Sequence, residues 1–322
     1  MTKEKILDAF YEKKGQLLSG AQLADDFGVS RNAIWKAVAA LKEDGYLINS
    51  IANKGYMFLG HEDSILSSSM IKRNLSTKIV GRDLKVFDSL SSTNSHMQNQ
   101  SGMKNGAVIA ANEQEYGRGR KNSFFDSPKG TGIYMSIFLK PTLLYNHLSL
   151  LTLRIGLIVA LSIAEEVDAD VRIKWPNDIV VSGKKVCGIL TNCGIEAESG
   201  MLEYAIVGIG IHVNETSFEK NSSNASLKEI AGHDINRHLL MANILSKIDD
   251  DFSNLTDEEF DAVLLEKLNS KLCYKGKVVK VIVDNYNLKG ILMGVNAKGA
   301  LMLKTEDGSI VYATSGEIVE PV

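Results

Sequence analysis

Arginines alternate with glycines in Gly117-Arg118-Gly119-Arg120, and the segment runs on as Lys-Asn-Ser-Phe-Phe-Asp-Ser-Pro-Lys-Gly-Thr to Gly132. Without Cβ atoms, Gly117 and Gly119 let successive backbone N–H groups face an anion. Arg118 and Arg120 add planar forks of donors suited to carboxylate or phosphate oxygens. Strings of this kind also occur in disordered RNA-binding segments. Here the string sits between two strand-like runs, which predicts a loop that orders when a charged ligand arrives.

Four further clusters carry chemical potential. Lys174-Trp175-Pro176-Asn177-Asp178 presents an ammonium, an amide and a carboxylate around a proline that must leave the strand ladder; a strand-ending turn with solvated charges is the alternative. In Lys184-Lys185-Val186-Cys187-Gly188 a lysine precedes apolar residues, so Lys185 is either a charge aimed into a pocket or a hairpin-edge lysine. Gly208-Ile209-Gly210-Ile211-His212-Val213-Asn214 reads as a strand whose glycines mark a close approach to its backbone. It lacks the dinucleotide fingerprint, and His212 has no metal-ligand partners nearby, so it reads as a core or site-lining histidine. Ser91-Ser92-Thr93-Asn94, at a strand-to-helix passage, offers hydroxyls for a helix cap or a polar ligand.

These clusters must be held by an alternating framework. "LKVFDSL", "GAVIAANEQ", "GIYMSIFLK", "VRIKWPNDIVV", "KVCGILTNC" and "EYAIVGIGIHV" read as strands. "TNSHMQNQSG", the apolar stretch 149–167 and "NRHLLMANILSKIDDDF" read as helices. Adjacent strands with short turns predict a mixed sheet. The last 50 or so residues lack helical periodicity, and turns at Asn-Leu-Lys-Gly, Asn-Ala-Lys-Gly and Glu-Asp-Gly-Ser predict a small barrel. Residues 1–62 read as three helices and a hairpin, a winged helix-turn-helix, with 61–80 as a linker. On the third helix Ile34, Val38 and Leu41 share one face, Ser30 can cap it, and Arg31, Asn32, Trp35, Lys36 and Lys42 fall largely on the other. That cationic face fits a nucleic-acid groove, and a protein-binding three-helix module is the alternative. The expected domains are therefore 1–62, 63–270 and 271–322, an α+β multidomain chain.

Composition narrows the classes. With 36 Lys+Arg against 39 Asp+Glu, the chain is no whole-surface polyanion binder, only a carrier of local basic elements. Three cysteines without a C-x-x-C pair argue against a disulfide framework or zinc site and fit a reducing cytoplasm. Arg154 interrupts the greasiest segment, leaving a run shorter than a membrane span requires, so it is expected to be a buried helix.

Taken in order, "SSTN", "QEYGRGR", "KWPND", "KKVCGIL" and "GIGIHVN" resemble the biotin protein ligases. With the winged helix, the chain is similar to the bifunctional bacterial type, ligase and biotin-operon repressor, over all three units, the last an SH3-like β-barrel. The resemblance implies two substrates, biotin and ATP with Mg2+, a biotinyl-5′-AMP intermediate, and a biotin carboxyl carrier domain whose lysine is acylated. It also implies operator DNA as a partner, met by Ser30, Arg31, Asn32, Trp35 and Lys36, and a homodimer when the adenylate is bound. Lys185, Arg118 and Arg120 would be catalytic. Ser92, Thr93, Asn94 and Gln114 would line the biotin end. Gly117, Arg118, Gly119, Arg120, Phe125, Lys174, Asn177, Asp178, Lys185, Gly188 and His212 would serve the nucleotide and carboxylate.

The chain departs from the family pattern at Asn122, Ser123, Phe125, Asn192 and His212. The family's loop arginine and tryptophan are absent, and losing one charge-assisted contact costs about 1.5–3 kcal/mol. A biotin-sensing repressor with weak or no ligase activity is therefore the alternative function.

Overall fold

The structure, a computed structural model, describes residues 2–43, 45–61, 65–216, 218, 222–252, 261–283 and 286–319. Two compact units divide at Arg73 and Asn74. The first contains α1 (Thr2–Glu12), β1 (Leu17–Leu18), α2 (Gly20–Phe27), α3 (Arg31–Glu43), β2 (Tyr46–Ile51), β3 (Gly55–His61) and α4 (Ser68–Arg73). Ser19 caps α2, and Gly28, in the left-handed region at φ 62°, ends it and turns the chain toward α3. The Ser30 hydroxyl accepts from the Ala33 N–H at the start of α3. Ile34, Val38 and Leu41 are buried against Ile6, Phe10, Leu23 and Phe58. The opposite face exposes Arg31, Asn32, Trp35 and Lys36.

Residues 65–80 of the expected linker are packed. Ile71 of α4 is fully buried, Met70 packs on the three-helix core, and the Tyr46 and Ser69 hydroxyls are 2.8 Å apart. Further on, backbone N–H groups of Lys78, Ile79 and Val80 donate to the Asp249 carboxylate at 2.6–2.8 Å. Apolar residues spaced too sparsely to signal a helix still bury when a preformed core is within reach.

The second unit is built on β4 (Leu84–Phe87), α5 (Thr93–Gln98), β5 (Ala107–Ala111), β6 (Ile133–Leu139), α6 (Leu148–Ile163), β7 (Val171–Lys174), β8 (Asp178–Val181), β9 (Lys184–Ile195) and β10 (Leu202–Ile211). Its seven-stranded sheet has the order β4-β5-β6-β10-β9-β8-β7. Only the β4–β5 pair is parallel among its ladders, so the mixed sheet expected from the short turns is present. The run "VRIKWPNDIVV" is a hairpin, not one strand: Trp175-Pro176-Asn177 turns the chain, and Lys174 pairs with Asp178. The Trp175–Pro176 peptide is cis.

Helix α6 packs on β7, β8 and β9. Tyr145–Ile163 is long and apolar enough to cross a membrane by length and composition, yet most of it is buried. Arg154, which breaks its apolar run, donates from Nε and Nη2 to Asp251 at 2.6 and 3.0 Å. Asp251 ends α8 (Arg237–Asp251), reached through the short α7 (Leu227–Ala231). α7 and the later α9 (Ala262–Lys271) are absent from the sequence-based assignment.

The C-terminal strands β11 (Val278–Val283), β12 (Tyr286–Val295), β13 (Leu301–Lys304), β14 (Ile310–Ala313) and β15 (Glu317–Val319) form an antiparallel sheet in the order β14-β13-β12-β11-β15. Asn-Leu-Lys-Gly, expected as a turn, lies inside β12. Gly290 is needed there for close approach: a Cβ would sit 2.6 Å from the Lys304 carbonyl oxygen.

Candidate active site

One cavity of about 260 Å³ gathers most of the chemical clusters. Ser92, Thr93, Asn94, Gln114, Arg118, Gly119, Arg120, Phe125, Lys174, Asn177, Asp178, Lys185 and Gly188 all line it. Gly117 and His212 do not. The cavity opens on the sheet face that carries α5, because a Cβ on Gly208 would meet Asn94 Nδ2 at 2.9 Å. Ile189, one residue out of phase with Gly188 and Leu190, points the other way, toward Gly156 of α6.

At one end the polar groups form a closed network. Ser92 caps α5, accepting from the Ser95 N–H, so its hydroxyl serves the helix. Thr93 donates from its N–H and Oγ1 to Gln114 Oε1 at 2.9 and 3.1 Å. Its Oγ1 lies 2.9 Å from Ser136 Oγ, which must then be the donor. Gln114 Nε2 donates to Ser127 Oγ at 3.0 Å. Asn94 donates to the Leu190 carbonyl at 3.3 Å and accepts from Asn192 Nδ2 at 3.0 Å. Asn192, one of the departures, therefore fixes the orientation of the Asn94 amide. These groups are buried or half-buried and mutually oriented, so a bound polar ligand meets preset donors and acceptors.

At the other end lies the charged machinery. Asp178 pairs with Gly188 and Ile179 with Cys187, but Val180 pairs with Lys185. Val186 is thus an extra residue, a β-bulge. The bulge brings Lys185 onto the cavity face, where its Nζ is 2.9 Å from Asp178 Oδ1. Cys187 stays on the opposite face, fully buried, and burial pushes its thiol far above the usual range. Asn177 locks the adjoining turn, donating from Nδ2 to the Ile189 carbonyl at 3.0 Å while its own carbonyl accepts from the Ile189 N–H.

The Gly-Arg loop is itself a tight hairpin. Gly119 donates to the Ser123 carbonyl at 2.7 Å and Phe125 to the Gly117 carbonyl at 2.9 Å. The Gly119 N–H is therefore spent within the hairpin, and both glycines serve its closure. A Cβ on Gly117 would lie 2.2 Å from the Phe125 oxygen, and one on Gly119 2.4 Å from Ser123 Oγ, so they let the two arms close. Arg120 leaves the loop and donates to the Gly316 carbonyl at 2.9 Å. Beside it Glu317 of β15 lines the cavity, a carboxylate that no local motif signals. The Asn122 side chain lies outside the described residues.

His212 sits behind the cavity. It is buried, its Nδ1 is 3.1 Å from Glu215 Oε1, and its ring stacks on Phe125 with centroids 4.6 Å apart and planes 10° apart. The Phe125 ring in turn lies against Gly210, where a Cβ would approach it to 2.6 Å.

An orienting polar end joined to an end lined by cations and carboxylates suits a ligand with a polar body and an anionic group. Residues 86–212 match the biotin/lipoate A/B protein ligase family, residues 2–57 an HTH domain and residues 275–319 the biotin protein ligase C terminal domain. The biotin protein ligase from Aquifex aeolicus in complex with biotin and ATP has the same fold, with a TM-score of 0.61 and 28% identity over 74% of this chain and 98% of that one. The Escherichia coli bifunctional ligase/repressor BirA is 29% identical over 94% of this chain and 93% of its own. At 30% identity to the Bacillus subtilis bifunctional ligase/repressor BirA, over 95% of both chains, this chain belongs to the bifunctional ligase/repressor BirA family.

Proposed function

We propose that the chain is an ATP-dependent biotin protein ligase and a biotin-dependent transcriptional repressor. The observation that carries the ligase reading is the bulge that puts Lys185 beside Asp178 on the face shared with Arg118, Arg120 and the amide network. A biotin carboxylate oxygen attacks the α-phosphorus of ATP, the bond to the bridging oxygen breaks, and pyrophosphate leaves with its electron pair. In the second step a carrier lysine, deprotonated, attacks the acyl carbon and AMP departs, giving the amide of a biotin carboxyl carrier domain.

Each residue's part follows from electrostatics. Both reactants are anions, so their approach needs fixed positive charge where negative charge builds up. Lys185 meets the carboxylate and α-phosphate. Arg118 and Arg120 hold the phosphate side of the loop. Thr93, Asn94 and Gln114 orient the ureido end of biotin, with Ser92 supporting through the helix cap. Asn177 and Lys174 steady the turn that carries Asp178. Where Mg2+ accompanies the nucleotide, Asp178 and Glu317, carboxylates on the cavity wall, would hold it and it would offset phosphate charge. One or two carboxylates plus phosphate oxygens suit that ion.

For repression, α3 lies in the major groove with Arg31, Asn32, Trp35 and Lys36 outward, and Lys42 braces the wing by donating to Ser50 Oγ at 3.0 Å. A homodimer supplies the second half-site. What supports a dimer through the central sheet is that β9 continues to Ile195 while its ladder with β8 ends at Gly188. Residues 271–322 act as a separate module, and the protein works in the cytoplasm.

Pyrophosphate exchange dependent on biotin tests the ligase, and transfer of labelled biotin to a carrier domain tests its second step. A second reading, a biotin sensor without ligation, is favoured by the altered Phe125 and His212. Biotin binding with no exchange would select it.

A further inference from the structure

The notable departures at the nucleotide end of the cavity are in contact with each other. Phe125 and His212 are distant in sequence, yet their rings stack nearly parallel at 4.6 Å. Phe125 is half-buried and lines the cavity, whereas His212 is 1% exposed and reaches no cavity surface. His212 therefore cannot touch a ligand in this arrangement. It can decide where Phe125 lies.

The histidine ring is itself held on several sides. Its backbone N–H donates to the Val186 carbonyl, the bulge residue, at 2.9 Å, and its carbonyl accepts from Leu227. Its Nδ1 meets Glu215 Oε1 at 3.1 Å, and Tyr134 donates its hydroxyl to the same oxygen at 3.3 Å. Phe218 abuts the ring edge-on, with planes at 82°. Glu215 is 5% exposed, so this is a rigid buried cluster. Phe125, by contrast, is anchored through its backbone: its N–H goes to Gly117 and its carbonyl accepts from Ser127 Oγ at 3.0 Å. Gly188, Gly210 and His212 lie against its ring, and the two glycines present no side chain.

We infer that His212 is a positioning residue for the nucleotide: it fixes the plane of Phe125 from behind, so that the other face of Phe125 is presented to the adenylate's flat base. This deepens the ligase reading and rests on it. A phenylalanine is smaller than the indole it replaces, and a stacked ring beneath it restores a thick aromatic platform. The contact of Nδ1 with Glu215 and the two backbone bonds hold the histidine ring in place beneath that platform.

The test is a double-mutant cycle on Phe125→Ala and His212→Ala, with His212→Phe as rescue. Biotin-dependent pyrophosphate exchange gives the KM for ATP, and calorimetric titration gives biotin affinity and ATP affinity separately. His212→Ala should raise the KM for ATP by about three- to tenfold, the range an aromatic pair supports, with biotin affinity within about twofold. His212→Phe should recover most of the loss. Adding His212→Ala to Phe125→Ala should change nothing further, because a residue acting through another is silent once that other is gone. Additive losses, or biotin and ATP affinity falling together with the melting temperature, would overturn the assignment and make His212 structural. If His212→Ala does not fold, an unaltered ATP KM in His212→Leu, which fills the site without stacking, overturns it equally. Absence of exchange and of ATP binding in the unsubstituted protein would remove the ligase reading itself, which these variant outcomes do not.

Discussion

Lys185 and Asp178 form an ion pair at 2.9 Å on the cavity face, with side chains about a third and a fifth exposed. Both are within reach of solvent and of ligand, so the pair is a poised charge reservoir and not a pillar of the fold. When substrate phosphate enters, the ammonium can shift to it, at the cost of the one charged partner that the buried Asp178 Oδ1 has among the described residues.

Lys185→Ala should lower biotin-dependent pyrophosphate exchange by about a hundredfold or more, the scale of losing one donor to a developing anion. Its melting temperature should stay close to that of the unsubstituted protein. A loss of stability matching the loss of activity would make the lysine structural.

The two strand glycines separate the cavity's ends. In Gly208→Ala the new methyl meets Asn94 Nδ2 at 2.9 Å, and in Gly210→Ala it meets the Phe125 ring at 2.6 Å. Overpacking of about 1–3 kcal/mol is expected at each. Titration should show Gly208→Ala weakening biotin chiefly and Gly210→Ala weakening ATP chiefly. The same ligand suffering in both would contradict the division.

Arg120 ties the loop to the C-terminal sheet through the Gly316 carbonyl. Arg120→Ala should speed amide exchange across residues 116–125, and biotin with ATP should slow it across 116–130 in the unsubstituted chain. Exchange indifferent to ligand there would remove the idea of a ligand-ordered loop.

Burial pushes the Asp249 carboxyl up, but the N–H groups of Lys78, Val80 and Ile79 outweigh it and hold the group below its ordinary value. A depressed carboxyl contributes stability above the unfolded value of about 3.9, lost as pH falls through the lower folded value. Asp249→Ala should cost about 1–3 kcal/mol at neutral pH. Urea melts should show that gap closing as the pH drops below about 4. A pH-independent gap would mean the carboxylate's charge is irrelevant.

Lys36 is exposed on the outward face of α3. Lys36→Ala should weaken operator binding and reduce the slope of log K against log salt by about 0.9 for one phosphate contact. An unchanged slope would move the DNA face elsewhere.

Much of this is legible in the amino-acid sequence. Ile34, Val38 and Leu41 marked the buried stripe of α3, because helical spacing reports burial directly. The clusters at 92–94, 118–120, 174–178 and 185 converge on one cavity. What local sequence hid was register and distance. Nothing around Val186 announces a bulge, since its side chain suits a regular strand equally well. Gly290 reads as a turn because glycine signals both a turn and a close approach, and only the neighbouring Lys304 decides between them. Glu317 and Gly316 reach the site from the far end of the chain, a contact of high sequence separation without local imprint. The Phe125–His212 stack is of the same kind: each residue alone looked like a loss, and their contact is visible only in three dimensions.

The supernumerary valine at 186 makes the placement of the ammonium a question of parity. Were Val186 instead taken into regular pairing with Val180, strict alternation would resume and Lys185 would face the helix side of the sheet. A whole enzyme could thus fold with every recognisable side chain present and still be inert, because a single step of pairing along one strand had changed its parity.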